Sequence, residues 1–100
     1  MTKSGVYIIV NETTGYAKIG ESKDIDNRLN QIRNSLRFSG KSDIVYLYYY
    51  EEVKLKKNRC MMETYLHNKY SIYNVMNEWF DCDYEDIKQT MQNYKKAMNW

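Results

Sequence analysis

The sequence contains no proline, only four glycines, two cysteines and one histidine in 100 residues. Two thiols, Cys60 and Cys82, cannot build a disulfide scaffold, and one histidine beside them leaves too few ligands for a zinc cluster. They are expected as reduced thiols of an intracellular protein, cytoplasmic or nuclear. No apolar run approaches the roughly 20 residues that a membrane helix needs, and no basic-then-apolar leader opens the chain. Both absences argue against a membrane span and against classical secretion. An excess of one charge is missing too. Fifteen Lys and Arg stand against thirteen Asp and Glu, a net charge of +2, which by itself does not mark a nucleic-acid binder. Repeats, low-complexity tracts and linker-like segments are absent. Two separate cores would each be too small at this length, so one domain over residues 1–100 is expected. What is plentiful is tyrosine, eleven residues of it, within a hydrophobic fraction of 43%, enough for a modest core.

The apolar pattern divides the chain into short elements. Val6 to Val10 and Tyr16 to Gly20 are β-rich runs around Asn11-Glu12-Thr13-Thr14-Gly15, which predicts a hairpin. Ile25, Leu29, Ile32 and Leu36 recur at helical spacing, with Asp24 as N-cap and Gly40 beyond the end. Asp43 to Glu52 is aromatic and β-branched, hence a third strand. A second helix is expected from about Val53 to Tyr70, with Leu55, Met62 and Leu66 on one stripe and Tyr65 and Tyr70 on its flanks. Ser71 to Asp81 is read as irregular, tied to the core by Trp79 and Phe80. Asp83 opens a last helix over about 83–98, carrying Ile87, Met91, Tyr94 and Met98 on one side. The fold class expected is α+β: an antiparallel sheet of about three strands flanked by helices, in the order β-β-α-β-α-α.

Several polar residues fall near one another under this pattern. Side chains alternate along a strand, so Val6, Ile8 and Val10 share one face and Tyr7 and Ile9 the other. A loop with an even number of residues, either Thr13-Thr14 or Asn11 to Thr14, aligns the apolar faces and sets Tyr7 and Lys18 together on the opposite one. On the first helix Arg28 lies roughly 60° from the centre of the apolar stripe, at the rim of the core. Glu63 and His67 are four apart on the second helix, beside its stripe. Each of these has a plain structural explanation, as a solvated face, a local ion pair or a packed histidine.

Taken together, these positions resemble the GIY-YIG nuclease superfamily. Gly5-Val6-Tyr7 corresponds to its first motif and Lys18-Ile19-Gly20 to its second, with ten residues between Tyr7 and Lys18. Gly20-Glu21-Ser22-Lys23-Asp24-Ile25 follows the family's loop pattern, and Arg28 stands eight residues after the glycine. Glu63 matches the metal-binding glutamate of a later helix. Lys18 in place of the second tyrosine, Glu63-x-x-Leu66-His67 and Glu78-Trp79-Phe80 resemble a branch common in phages and large DNA viruses. The likeness covers about residues 5–81. It departs from the family where Gln31, Ile32 and Arg33 occupy a stretch in which many members carry a histidine.

The resemblance implies a metal-dependent endonuclease acting on DNA phosphodiester bonds. Glu63 is expected to hold one Mg²⁺ or Mn²⁺ ion, and Arg28 to offer its planar fork to a phosphate oxygen. Tyr7 is expected as general base or water-positioner, its phenol lowered from about 10 by the Lys18 ammonium; the reverse assignment, with a neutral Lys18 as base, stays open. His67 orients Glu63, shuttles a proton or serves as a structural hydrogen-bonder. Lys23, Arg33, Arg37 and Lys41 are expected to grip DNA phosphates. The run from Lys54 to Arg59 is a second phosphate patch or, more simply, a solvated helix start. A homodimer would let two sites cut both strands. The alternative is a catalytically inactive module of the same fold that binds DNA or protein.

Overall fold

The computed structural model describes residues 2–100. Its elements are β1 (Gly5–Asn11), β2 (Ala17–Ser22), α1 (Ile25–Phe38), β3 (Val45–Glu52), α2 (Lys56–Lys69), a 3-10 turn (Ser71–Tyr73), β4 (Asn74–Met76), β5 (Trp79–Phe80) and α3 (Tyr84–Met98). They form an α+β fold around one open sheet of order β3-β1-β2-β5-β4, in which every neighbouring pair is antiparallel. The sheet has five strands where the sequence pattern predicts about three. The extra two lie in the segment 71–81 expected to be irregular. Strands of three and two residues are too short to show alternation, and Asn77 closes the turn between them at φ 53°, a left-handed conformation that asparagine tolerates better than most residues.

β1 is an interior strand, paired with β2 on one side and β3 on the other. Val10 faces Ala17 and Ile8 faces Ile19 across the hairpin, the alignment that an even-numbered loop produces. The connection is a four-residue loop, Glu12–Gly15, closed by the Asn11 N–H on the Tyr16 carbonyl at 2.9 Å. The Asn11 side-chain carbonyl accepts from the Thr13 and Thr14 amides at 3.0 and 3.1 Å, an Asx turn that pins the loop.

Alternation along β1 divides the core in two. Val6, Ile8 and Val10 join Ala17 and Ile19 under α2 and α3, which contribute Met62, Leu66, Ile87 and Met91. Tyr7 and Ile9 join Val45 under α1, which contributes Ile25 and Leu29. The helices therefore sandwich the sheet. Asp24 caps α1 by accepting the Asn27 amide at 3.1 Å, and Asp83 caps α3 by accepting the Glu85 amide at 2.9 Å, each offsetting an orphan donor of a helix start. α2 begins three residues later than the apolar pattern predicts. The Val53 N–H donates to the Ser4 carbonyl at 3.0 Å, which keeps Val53 in the sheet layer, and Leu55 becomes an exposed cap residue instead of part of the stripe. No helix among the described residues is long and apolar enough to cross a membrane, and Cys60 and Cys82 are free thiols.

Arg59, expected on a solvated basic run, is buried. Its guanidinium pairs with Glu21 at 2.9 Å, the Ser4 hydroxyl at 3.0 Å and the Lys54 carbonyl at 2.6 Å. One side chain of α2 thus ties the start of β1, the end of β2 and the end of β3. Removing it leaves a carboxylate and carbonyls without their donor. Arg59→Ala should cost about 3 kcal/mol of unfolding free energy, measurable in urea titrations; a loss below about 1 kcal/mol refutes the tie.

Candidate active site at the free edge of the second strand

β5 pairs with β2 only at Ala17 and Lys18. Beyond that point, at Ile19, Gly20 and Glu21, the outer edge of β2 has no strand partner. Two groups satisfy Ile19 instead. Its N–H donates to the Glu78 carbonyl at 3.1 Å, and its carbonyl accepts from His67 Nε2 at 2.8 Å. A carbonyl only accepts, so Nε2 carries the proton. The His67 ring also meets the Phe80 ring edge-on, 5.1 Å between centroids. Lys18-Ile19-Gly20, Glu63-x-x-Leu66-His67 and Glu78-Trp79-Phe80 are therefore knitted into one structure by the backbone groups of a single residue.

Both glycines of the paired strands allow close approach. A side chain at Gly5 would collide with the Glu51 backbone carbonyl, and one at Gly20 would overlap the Tyr7 ring and hydroxyl. Tyr7 lies opposite Gly20 in the ladder and uses this gap to bring its phenol across β2. The ring is buried, and its hydroxyl has no hydrogen-bond partner of normal geometry among the described residues. Burial first, then the Glu78 carboxylate, push the phenol up to about 12; Arg28, standing beside the hydroxyl, pulls the other way, and Glu63 adds a smaller upward push. The sequence predicts a phenol lowered by Lys18. Burial and the Glu78 carboxylate shift it the opposite way, and the Lys18 ammonium is turned to Glu78 at 3.2 Å, 5.5 Å from the centroid of the Trp79 ring.

Glu63 is half-buried on α2. Burial raises its carboxyl above the usual range, and the Glu78 charge adds to the rise; His67 and the Glu21 amide favour the charged form, while the Glu21 carboxylate opposes it. Tyr7, Arg28, Glu63, Glu78 and Glu21 thus feel one another at the open end of β2. Next to them a cleft of about 330 Å³ runs past Glu21, Lys23, Arg28, Lys56 and Arg59. Glu21 and Glu78 were not singled out as site charges from sequence. Glu78 was visible only as part of the Glu-Trp-Phe string, and nothing in the spacing marks Glu21.

Of the four residues expected on the DNA path, Arg33, Arg37 and Lys41 line one hollow, and Lys23 stands apart from them. Lys23 is exposed at the first cleft. Arg33 directs Nε and one terminal nitrogen onto the Val45 carbonyl, at 3.0 and 2.7 Å, so much of its fork serves to hold α1 to β3. Arg37 and Lys41 are exposed around a separate hollow of about 420 Å³ at the far end of α1. Among the described residues, no three His, Cys, Asp or Glu side chains gather closely enough to cage a metal ion.

A family model described as the T5orf172 domain matches residues 4–95. The chain belongs to this family. The T5orf172 domain is a phage-associated domain of the GIY-YIG, nuclease-like clan, and its match spans every residue of the site at the β2 edge. No curated protein and no solved structure matches the chain.

Two outcomes test the geometry. Gly20→Ala should destabilise the T5orf172 fold by about 1–3 kcal/mol through the overlap with Tyr7, and the loss should shrink in a Tyr7→Ala background; equal losses in both backgrounds refute the contact. The raised Tyr7 phenol favours the folded state in its neutral form. That contribution is complete below about pH 10, the value of a free phenol, and is lost as pH rises through about 12. Wild type should therefore lose about 2–3 kcal/mol relative to Tyr7→Phe across that window, seen as the difference between their urea midpoints. A pH-independent difference refutes the shift.

Proposed function

We propose that the chain is a metal-dependent endonuclease that hydrolyses DNA phosphodiester bonds at the free edge of β2, through a site of the GIY-YIG type. The observation that carries this reading is the convergence of Tyr7, Arg28 and Glu63 there, from a strand and two helices on opposite faces of the sheet. The family's nuclease-like character supports it.

The donor set fits one hard divalent cation. Glu63 is a half-buried carboxylate whose charged form is opposed by burial and by two neighbouring carboxylates, so a cation beside it relieves an existing strain. Mg²⁺ or Mn²⁺ binds commonly through one or two carboxylates, waters and substrate phosphate, without a full protein cage. Such an ion, when bound, polarises the phosphate and eases departure of the leaving oxygen.

The chain's own residues then divide the remaining work. Arg28 donates to a phosphate oxygen and offsets the charge that builds on it. Tyr7, neutral in the free protein, orients the attacking water; the water oxygen bonds to phosphorus as the ester P–O bond breaks, the water gives up a proton to solvent, and the leaving oxygen takes one from solvent. Lys18, paired with Glu78 at 3.2 Å, holds phosphate. His67, hydrogen-bonded to Ile19 and set edge-on to Phe80, is a positioning residue that keeps α2, and with it Glu63, against β2. Lys23, Arg37 and Lys41 meet the flanking backbone. Two copies on one duplex would cut both strands.

One observation favours the alternative of a non-cutting DNA-binding module. The Tyr7 hydroxyl is covered in this structure, so substrate must displace its neighbours before the phenol can reach a water. Supercoiled plasmid with Mg²⁺ or Mn²⁺ separates the two readings. Wild type should nick or cut, EDTA should abolish it, and Glu63→Ala and Tyr7→Phe should each lower the rate by about 10²-fold or more. Salt-sensitive DNA binding without cleavage would establish the binding module instead. Cleavage undiminished in Glu63→Ala would refute the site.

A further inference from the structure

A second cavity, of about 170 Å³, opens between the β1–β2 loop, the C-terminal end of α1 and the β4–β5 hairpin. Trp79 and Tyr16 give it rings, Val75 and Met76 an apolar wall, and Lys41 and Asp43 polar groups. None of these residues except Trp79 touches the site described above. Trp79 faces Lys18 across the ladder and carries the Lys18 ammonium near its ring, so it forms a shared wall. The hairpin beside it is unusual for a surface. Residues 71–77 contain no charged side chain, yet Ile72, Val75 and Met76 are 82%, 46% and 61% exposed. An apolar patch of this kind, rimmed by polar residues, marks a place that something covers.

We propose that this cavity receives one nucleobase of the bound DNA strand, unstacked from its neighbours and laid against Trp79. The inference rests on the endonuclease reading and adds a base-sensing subsite to it. The volume lies below that of pockets for drug-sized ligands, about 300 Å³ and more, and suits a single planar heterocycle. The rings supply stacking surface, which every base can use. The Asp43 carboxylate, already accepting from the Asn11 amide at 2.9 Å, retains lone pairs for an exocyclic amine. Lys18 on one side and Lys41 on the other stand where the phosphates flanking that base would lie. Three residue steps along β2 lead from Ala17 to Gly20, about 10 Å, so the base belongs to a nucleotide a few positions from the phosphate at Tyr7.

A second copy of the chain is the less favoured occupant. β4 is only three residues long, a length that natural sheets use to blunt an edge against pairing. A recessed cavity with a carboxylate and an ammonium on its walls is also a poor seat for an apolar strand.

The test is binding of two fluorescent 12-nucleotide single strands in EDTA, one with bases and one built entirely of abasic sites. Wild type should bind the base-bearing strand about tenfold more tightly. Val75→Trp, which fills the cavity from a half-exposed position, should bind both strands alike, as should Trp79→Leu, with unchanged far-UV spectra confirming the fold. Equal affinity of wild type for the two strands overturns the subsite and leaves the endonuclease reading standing. Retention of the preference in both variants also overturns it, since the base must then sit elsewhere. Binding of neither strand overturns the subsite and the endonuclease reading together. A dimer in sedimentation that Val75→Trp dissociates gives the patch to a second copy and overturns the inference.

Discussion

The backbone N–H and carbonyl of Ile19 are the joint on which the site depends. Where a strand runs past the end of its neighbour, its outward N–H and carbonyl must be satisfied by other groups. β2 does this with a carbonyl from the β4–β5 hairpin and an imidazole from α2. Those two hydrogen bonds draw Glu78 and Glu63 to the same stretch of β2, one from each side. Loss of either partner would leave a buried backbone group unpaired, a cost of about 1–3 kcal/mol, and would free a carboxylate-bearing element from the site. Fold maintenance and site assembly are here the same interaction.

Steric economy does the rest. Gly20 leaves room for the Tyr7 ring to cross the strand, and Gly5 lets β3 approach β1 at its start. The electrostatics follow from that packing. Around Tyr7 stand one guanidinium and two carboxylates, and the Lys18 ammonium is diverted to one of those carboxylates. The net effect is a neutral phenol and a carboxyl at Glu63 that is reluctant to ionise. Both are conditions that an incoming cation would change.

Much of the fold was legible from periodicity. The hairpin register, the Asp24 and Asp83 caps and the stripes of α1 and α3 come from local rules that tertiary contacts reinforce. The β4–β5 hairpin was not legible, because strands of two or three residues leave no period to read. Nor was the role of Arg59: its position among lysines suggested solvent, and only the long-range pairing with Glu21 and Ser4 shows why it is buried. At the site, the motif spacing pointed to Tyr7, Lys18, Arg28, Glu63 and His67, yet not to the upward shifts of Tyr7 and Glu63. Glu78 contributes to both, and it lies 71 residues from Tyr7 in the chain. The cations in and around α1 show the converse. Lys23, Arg33, Arg37 and Lys41 share a segment of sequence, but α1 separates Lys23, just before its start, from the other three, which line one hollow at its far end.

The concealed Tyr7 hydroxyl has a consequence for how such a protein behaves between targets. A phenol that touches no solvent has no water to aim, whatever its neighbours. On the endonuclease reading we propose, idle molecules would then be safe to accumulate among nucleic acids that they do not engage, and chemistry would start only when a seated backbone prises the cover open. Discrimination of this kind lies in exposure of the reagent and not in recognition alone.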